Sequence, residues 1–135
     1  MLLLLLIVLS FPVLCMGESA IQSEGNMSYI ITSEGAVIID WNNQLPDILD
    51  ATLYVPPTLG GIPVVGIGFD AFDTCNEGPS TQFQLILPEG ITFLEKGAFQ
   101  CCNQATVISL PSTLETIPEG SFIHVKAKIV FPNGN

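Results

Sequence analysis

The chain has 135 residues, enough for a single domain. Thirteen acidic residues are opposed by three lysines, which gives a formal net charge of −10 at pH 7. This balance argues against binding to nucleic acids or to anionic membrane surfaces, because both need clustered Lys and Arg. The excess of acid is instead typical of a surface that keeps a protein soluble.

The N-terminal segment predicts export. Residues 1–14 are nearly all aliphatic, but they are too few for a transmembrane helix, which needs about 20 apolar residues. Small or polar residues follow at Gly17, Ser19 and Ala20. We therefore expect a signal peptide over residues 1–17 and a secreted or cell-surface protein. Two outcomes stay open: cleavage near Gly17 or Ala20, or acylation of Cys15, which would be the protein's one contact with a membrane.

The next two segments differ in polarity. Residues 18–28 are polar and predict a flexible stretch, in which Asn26-Met27-Ser28 is a glycosylation sequon if the source is eukaryotic. Residues 29–32 and 36–41 are rich in β-formers and flank Ser33-Glu34-Gly35. Two such runs around a short turn with glycine predict a β-hairpin.

A repeated phrase fills the rest of the chain. Pro88 and Pro111 are 23 residues apart, and so are Phe99 and Phe122. A period of 20–29 residues is typical of a leucine-rich-repeat solenoid, which usually binds other molecules. We expect the repeats over residues 51–135, mainly β with short irregular or 3-10 turns, and about three and a half coils. Because the open end of a solenoid needs covering, the hairpin region, residues 29–50, is interpreted as a cap with Trp41 packed on the first coil.

The repeat units carry a resemblance to a known family. They match its positions at Ile91, Leu94, Ala98-Phe99 and Cys102 in one unit, and at Ile108, Leu110-Pro111, Leu114, Ile117 and Phe122 in the next. In these positions the chain resembles the BspA-type leucine-rich repeats of bacterial and some protist surface proteins, with Ala105 and Ser121 as departures. The resemblance implies a right-handed solenoid with a parallel sheet on its concave side, and a role in adhesion without a catalytic site.

The concave side is the candidate binding face. Alternate residues of a strand point to opposite faces, so the aliphatic positions Leu85 and Ile108 would point inward. Their neighbours would form two exposed columns, none of them acidic: Thr52, Gln84, Val107 and Lys128; Tyr54, Ile86, Ser109 and Val130. A neutral stripe on an acidic body predicts a recognition surface. The competing interpretation is that strands disfavour Asp and Glu anyway.

The cysteines raise a separate question. Cys75 and Cys102 each follow a repeat phenylalanine by three residues, and equivalent positions in adjacent coils should lie about 5 Å apart. That separation falls within disulfide range. A Cys75–Cys102 disulfide and a pair of stacked free thiols are both consistent with the spacing, and Cys101 stays unpaired in either case.

Catalytic and metal-binding patterns are weak. His124 is the one histidine, and Cys101, Cys102 and His124 lack the spacing of a zinc site. We therefore expect a non-catalytic module with no cofactor and no metal, which binds a protein or a glycan. The alternative is a structural or truncated copy without binding activity of its own, including end-to-end self-association through the exposed strand near residues 129–131.

Overall fold

A computed structural model of the chain describes residues 20–42, 51–73 and 82–132. No helix occurs in these three ranges, which confirms the all-β expectation, and the connections are turns and irregular segments, not 3-10 helices. The strands in these ranges are β1 (Gln22–Glu24), β2 (Met27–Ile31), β3 (Ala36–Trp41), β4 (Ala51–Tyr54), β5 (Thr58–Leu59), β6 (Ile62–Ile67), β7 (Phe83–Ile86), β8 (Phe93–Leu94), β9 (Ala105–Ser109) and β10 (Lys128–Val130).

Four of these strands form a parallel sheet in the order β10-β9-β7-β4. Leu53 pairs with Leu85, Leu85 with Ile108, and Ile108 with Ile129, so each aliphatic residue lies beside its equivalent in the next repeat. Leu85 and Ile108 are completely buried. The alternation of apolar and polar residues therefore sends the aliphatic column into the core, as the sequence predicted.

The remaining strands form a second sheet in the order β1-β2-β3-β6-β5, with β8 also paired to β6. The pairs β1–β2 and β2–β3 are antiparallel, which confirms the predicted hairpin. The pairs β3–β6 and β6–β8 are parallel, and an isolated bridge from Phe93 to Thr116 continues the same direction. The hairpin is thereby joined to the repeats through the backbone.

Part of the stretch predicted to be flexible is ordered in strands. Residues 22–24 form β1, and β2 begins at Met27, which is 5% exposed. The Glu24 carboxylate accepts a hydrogen bond from the Gly60 backbone N–H. This contact fixes the first strand to the turn between β5 and β6, even though its own side chains are exposed.

A column of aromatic rings runs through the core. Phe72 and Phe99 have ring centroids 5.4 Å apart, and Phe99 and Phe122 are 5.3 Å apart with nearly parallel planes. Trp41 continues the column beyond Phe72 at 5.6 Å and meets Phe83 edge-on at 5.1 Å. Trp41 is 4% exposed, and it packs against the first repeat as the sequence predicted.

Left-handed backbone positions recur with the same period as the sequence. Asp70, Gly97 and Gly120 have φ angles of 54°, 79° and 85°, and each precedes the buried small residue and phenylalanine of its coil. Ser121 replaces the alanine of the other units, and its hydroxyl donates to the Pro118 carbonyl at 2.7 Å, which satisfies the buried oxygen. The φ angle is thus positive in all three coils, although the residue at this position is Asp in one coil and Gly in the other two.

Candidate functional site

The eight residues of the predicted binding face lie in two continuous rows across the parallel sheet. The pairing of β4, β7, β9 and β10 places Thr52, Gln84, Val107 and Lys128 side by side. The same pairing aligns Tyr54, Ile86, Ser109 and Val130 in the second row. We call these eight residues the two-row face. Adjacent members of one row are separated by a strand spacing of roughly 5 Å.

The backbone of the second row holds the strands together while its side chains face away from the core. The Ile86 carbonyl accepts from the Val55 N–H at 3.0 Å, the Ser109 carbonyl from Leu87 at 3.0 Å, and the Val130 carbonyl from Leu110 at 2.9 Å. These bonds extend the ladder one residue past each strand. They position the second row rigidly, which lowers the entropy lost when a partner binds.

The two-row face mixes apolar area with hydrogen-bonding groups. Tyr54 is 67% exposed, and the side chains of Thr52, Gln84 and Lys128 are also exposed. Between them, Ile86, Val107, Ser109 and Val130 are half-buried by their neighbours. Aromatic and aliphatic area beside hydroxyl, amide and ammonium groups suits recognition of a partner that has both apolar and polar groups.

Several acidic residues of the repeats lie in turns, where they join one coil to the next. Glu89 accepts hydrogen bonds from the Ser112 N–H at 2.9 Å, the Ser112 hydroxyl at 2.7 Å and the Thr113 N–H at 3.2 Å. The backbone hydrogen bond from Ser112, followed by the bond from its hydroxyl, lowers the pKa of Glu89. Glu95 similarly accepts from the Phe69 N–H at 2.9 Å. The negative charge is therefore placed outside the two-row face.

Of the two alternatives for Cys102, the Cys75–Cys102 disulfide is wrong, and the expectation that Cys101 stays unpaired is wrong as well. Cys102 is a free thiol with no exposed surface, and burial raises its pKa to about 12. Cys101 is disulfide-bonded. Its φ of 58° is left-handed, and it is Cys102 that is buried in the core. Cys75 itself lies outside the described residues.

His124 lies in a turn at the surface with a left-handed backbone conformation. Its φ is 59°, it is exposed, and it lies 23 residues after Cys101, which has the same left-handed conformation. The two residues thus close equivalent turns in successive coils. In the described part of the chain, no group of three or more His, Cys, Asp and Glu side chains is arranged to hold a metal ion.

Of the two predicted modification sites, Asn26 lies in the described residues and Cys15 does not. Asn26 is exposed in the turn between β1 and β2, where a glycan could be attached without disturbing the core. Cys15 and the predicted signal peptide lie outside the described residues. Within the described ranges, no helix has the length and apolar character needed to cross a membrane.

Two grooves were not predicted from the sequence. One, of about 610 Å³, lies at the last described coil and is lined by apolar residues, among them Leu114, Ile117 and Phe131, together with the polar residues Ser112, Glu115 and Thr116. The other, of about 280 Å³, lies beside Met27 and Trp41. The apolar residues Leu114, Ile117 and Phe131 are visible in the sequence, but their spacing alone does not indicate a groove.

Comparison with solved structures decides the fold. A leucine-rich repeat protein of T. pallidum superposes with a TM-score of 0.65 and 24% identity, over 82% of this chain and 50% of that one. This chain has the leucine-rich-repeat fold. A leucine-rich cell surface protein of Faecalibacterium prausnitzii A2-165 superposes with a TM-score of 0.60 and 18% identity, over 85% of this chain and 33% of that one.

The leucine-rich-repeat chain thus spans half the length of the first of these proteins and a third of the second. No protein-family model matches its sequence, and no curated protein does either. At these identities the likeness is one of fold, and the T. pallidum and F. prausnitzii proteins are both bacterial.

Proposed function

We propose that this chain is an exported or cell-surface leucine-rich-repeat module of the BspA type, which binds a protein or a glycan through the two-row face and has no catalytic activity. The observation that carries the proposal is the strand register. It brings eight residues, none acidic, into two unbroken rows on a protein with a net charge of −10. A rigid, neutral and partly apolar sheet face of this kind is suited to adhesion.

The proposal also gives each part of the chain a role. The hairpin region, residues 29–50, caps a right-handed solenoid of about three and a half coils, and Trp41 covers the first of them. Residues 1–17 direct export. The F. prausnitzii protein of the same fold is described as a cell surface protein, and this description supports a secreted or surface location for the present chain.

The test is a binding assay with matched variants. The purified protein is applied to an array of glycans and extracellular-matrix proteins, and the bound spots are compared with those of a Tyr54→Ala, Ile86→Asp variant. We expect binding to be lost, because the substitutions remove the aromatic anchor and place a charge in the second row. The control variant, Phe69→Ala with Ile21→Asp, changes two exposed hydrophobic residues elsewhere, at 59% and 68% exposure.

The control must bind like the original protein, and circular dichroism must show that both variants fold. Binding that is unchanged in the Tyr54→Ala, Ile86→Asp variant would contradict the proposal, and so would an array on which no spot binds. The second candidate is a structural or assembly module, or a short copy without binding activity. The exposed edge of β10 favours the assembly version, since unpaired strand edges recruit further strands.

A further inference from the structure

The last described coil, residues 114–132, leaves apolar side chains exposed. Ile117, Ile123 and Phe131 are 41%, 42% and 40% exposed, and they account for half of the large exposed hydrophobic residues in the described ranges. Ile117 and Phe131 line the groove of about 610 Å³ together with Leu114 and Pro132. We call this outer side of the coil the end face. Exposed apolar surface beside a groove, as at Ile117 and Phe131, marks an interaction site.

The backbone at the end face is open as well. Strand β10 pairs with β9 on one side, and no strand in the described ranges pairs with its other edge. Phe122 has the Phe99 ring stacked on one face at 5.3 Å, and its side chain is half-buried, whereas Phe72 and Phe99 are completely buried. The end face therefore offers an unpaired strand edge and a half-buried ring beside an apolar groove.

Charge distinguishes the end face from the rest of the molecule. Residues 114–132 contain Glu115, Glu119, Lys126 and Lys128, so this coil is neutral. The first 113 residues hold the other eleven acids and only Lys96. Two copies of this acidic chain repel each other in most orientations, but this repulsion is smallest where the two end faces meet. The lysines of one copy can then approach the acids of the other.

We propose that two copies of this chain associate through their end faces into a two-fold dimer, in which the β10 edges lie against each other. An isologous contact fits because the end face is apolar, neutral and holds both signs of charge, so it complements itself. The opposite edge of the parallel sheet, β4, is also unpaired in the described ranges, but Met27, Tyr29 and Trp41 of the hairpin are at most 5% exposed, so a head-to-tail contact would find less apolar surface on the hairpin than on a second end face. This dimer would give the assembly alternative a defined surface, which shares only strand β10 with the two-row face.

Sedimentation velocity of the purified protein over a range of concentrations tests the proposal. We expect a monomer–dimer equilibrium that Ile117→Asp and Phe131→Asp each shift, raising the dissociation constant about tenfold or more, because a charge would be buried in the contact. Both positions are more than a third exposed in the monomer, so the variants should fold. The matched controls, Phe69→Asp and Tyr54→Asp, alter exposed aromatic residues elsewhere and should dimerise normally.

Hydrogen exchange supplies a second measurement that does not depend on a variant. The peptide covering residues 126–132 should exchange more slowly as the concentration rises, because the β10 edge becomes paired. A protein that stays monomeric at every concentration would overturn the proposal. Open-ended polymers would overturn it as well, since they require a head-to-tail contact. A dimer lost in Tyr54→Asp but kept in Ile117→Asp would place the contact on the two-row face and would also contradict it.

Discussion

The two ends of the repeat stack are built differently. At the N-terminal end, Met27, Tyr29 and Trp41 are at most 5% exposed, and a three-strand meander joins the first repeat through β3 and β6. At the other end, Ile117 and Phe131 are at least 40% exposed, and β10 has a free edge in the described part of the chain. Each coil buries its apolar face only against a neighbour. The hairpin therefore contributes the neighbouring surface against which the apolar side chains at the N-terminal end are buried.

The contact of the hairpin with the first repeat is made of both side chains and backbone. The Trp41 ring lies on Phe72 and Phe83, and the backbone N–H of Trp41 donates to the Ala71 carbonyl at 2.9 Å. The same backbone bond recurs from Phe72 to Ala98 and from Phe99 to Ser121. The last strand of the hairpin thus makes the same backbone contact to the first repeat that each repeat makes to the next.

Of the substitutions that compare the two ends, removing Trp41 should cause the largest loss of stability. For Trp41→Ala we expect a loss of about 3–5 kcal/mol in the free energy of unfolding, because a large buried ring is replaced by a cavity. Phe131→Ala at the open end should cost less than about 1 kcal/mol, since its ring is 40% exposed. Urea unfolding followed by circular dichroism measures both. Equal losses at the two ends would contradict the contrast between them.

The docking of the hairpin can be broken without touching its core. Gly35 has a φ of 153°, and a Cβ built there would lie 2.6 Å from the Pro63 carbonyl oxygen in β6. Gly35→Ala should therefore separate β3 from β6, at a cost of about 2–4 kcal/mol from backbone strain and overpacking. Thermal unfolding measures this cost.

Gly25→Ala is the matched control for this substitution. Gly25 has a φ of 58° in the turn before β2, and no atom lies within 4 Å of a Cβ built there. It should cost only the left-handed backbone energy, about 1 kcal/mol. If the two alanine variants lose the same stability, the contact between Gly35 and Pro63 does not hold the hairpin.

The repeat period explains how much of the site could be predicted. Once Leu85 and Ile108 were aligned as equivalent residues, strand alternation fixed their neighbours, so the register of Gln84 with Val107 and of Ile86 with Ser109 followed. The aromatic column from Phe72 to Phe122 follows from the same spacing, although its interval is longer between Phe72 and Phe99. Residues one repeat apart in the sequence therefore lie side by side in adjacent coils.

Features that depend on backbone conformation were not predictable. Strand β1 has the polar sequence Gln22-Ser23-Glu24 without apolar alternation, and it is held by pairing with β2. Cys102 occupies the repeat position three residues after Phe99 and is buried, but the left-handed φ at Cys101 has no signal in the residue types. The pattern of side chains therefore indicates neither strand β1 nor the turn at Cys101.

The attachment of the open end should depend on Glu89. Its carboxylate bridges to Ser112 and Thr113 of the following coil, so Glu89→Gln should lower Tm by a few degrees at pH 7 and speed hydrogen exchange at residues 105–117. Because its pKa is lowered by folding, the bridge contributes fully above the ordinary value of 4.5. The contribution is lost as the pH falls through the lowered value, so the variant and the original protein should converge in acid.

Glu34→Gln supplies the charge-matched control for the Glu89 prediction. Glu34 is exposed in the turn before β3, at the capped end. It should change Tm little and should leave exchange at residues 105–117 unaltered. If Glu89→Gln lowers Tm equally at pH 7 and below pH 4.5, the ionised carboxylate is not what joins the two coils.

The smallest expected effect is a gain of stability in the first repeat. Asp70 occupies the left-handed position that Gly97 and Gly120 fill in the later coils, and its buried Oδ1 has no hydrogen-bond partner. Burial, and then the nearby Asp73, raise the pKa of Asp70, so folding disfavours its charged form. Asp70→Asn removes the charge and keeps a residue that tolerates positive φ. Tm should rise by about 1–3 °C at pH 7, a small gain because the carboxyl group is only partly withdrawn from water.

The pH dependence of the Asp70→Asn gain identifies its cause. A raised pKa means that the folded protein binds the proton more readily than the unfolded chain, so the penalty is complete at neutral pH and vanishes as the pH falls below 3.8, the ordinary value. The gain from Asp70→Asn should vanish with it, whereas substitution of the exposed side chain Asp40→Asn in β3 should give no such gain at pH 7. A gain that persists in acid would come from the backbone of the turn and not from the charge. A loss of stability at pH 7 would show that the Asp70 carboxylate holds the first coil, as Glu89 holds the last.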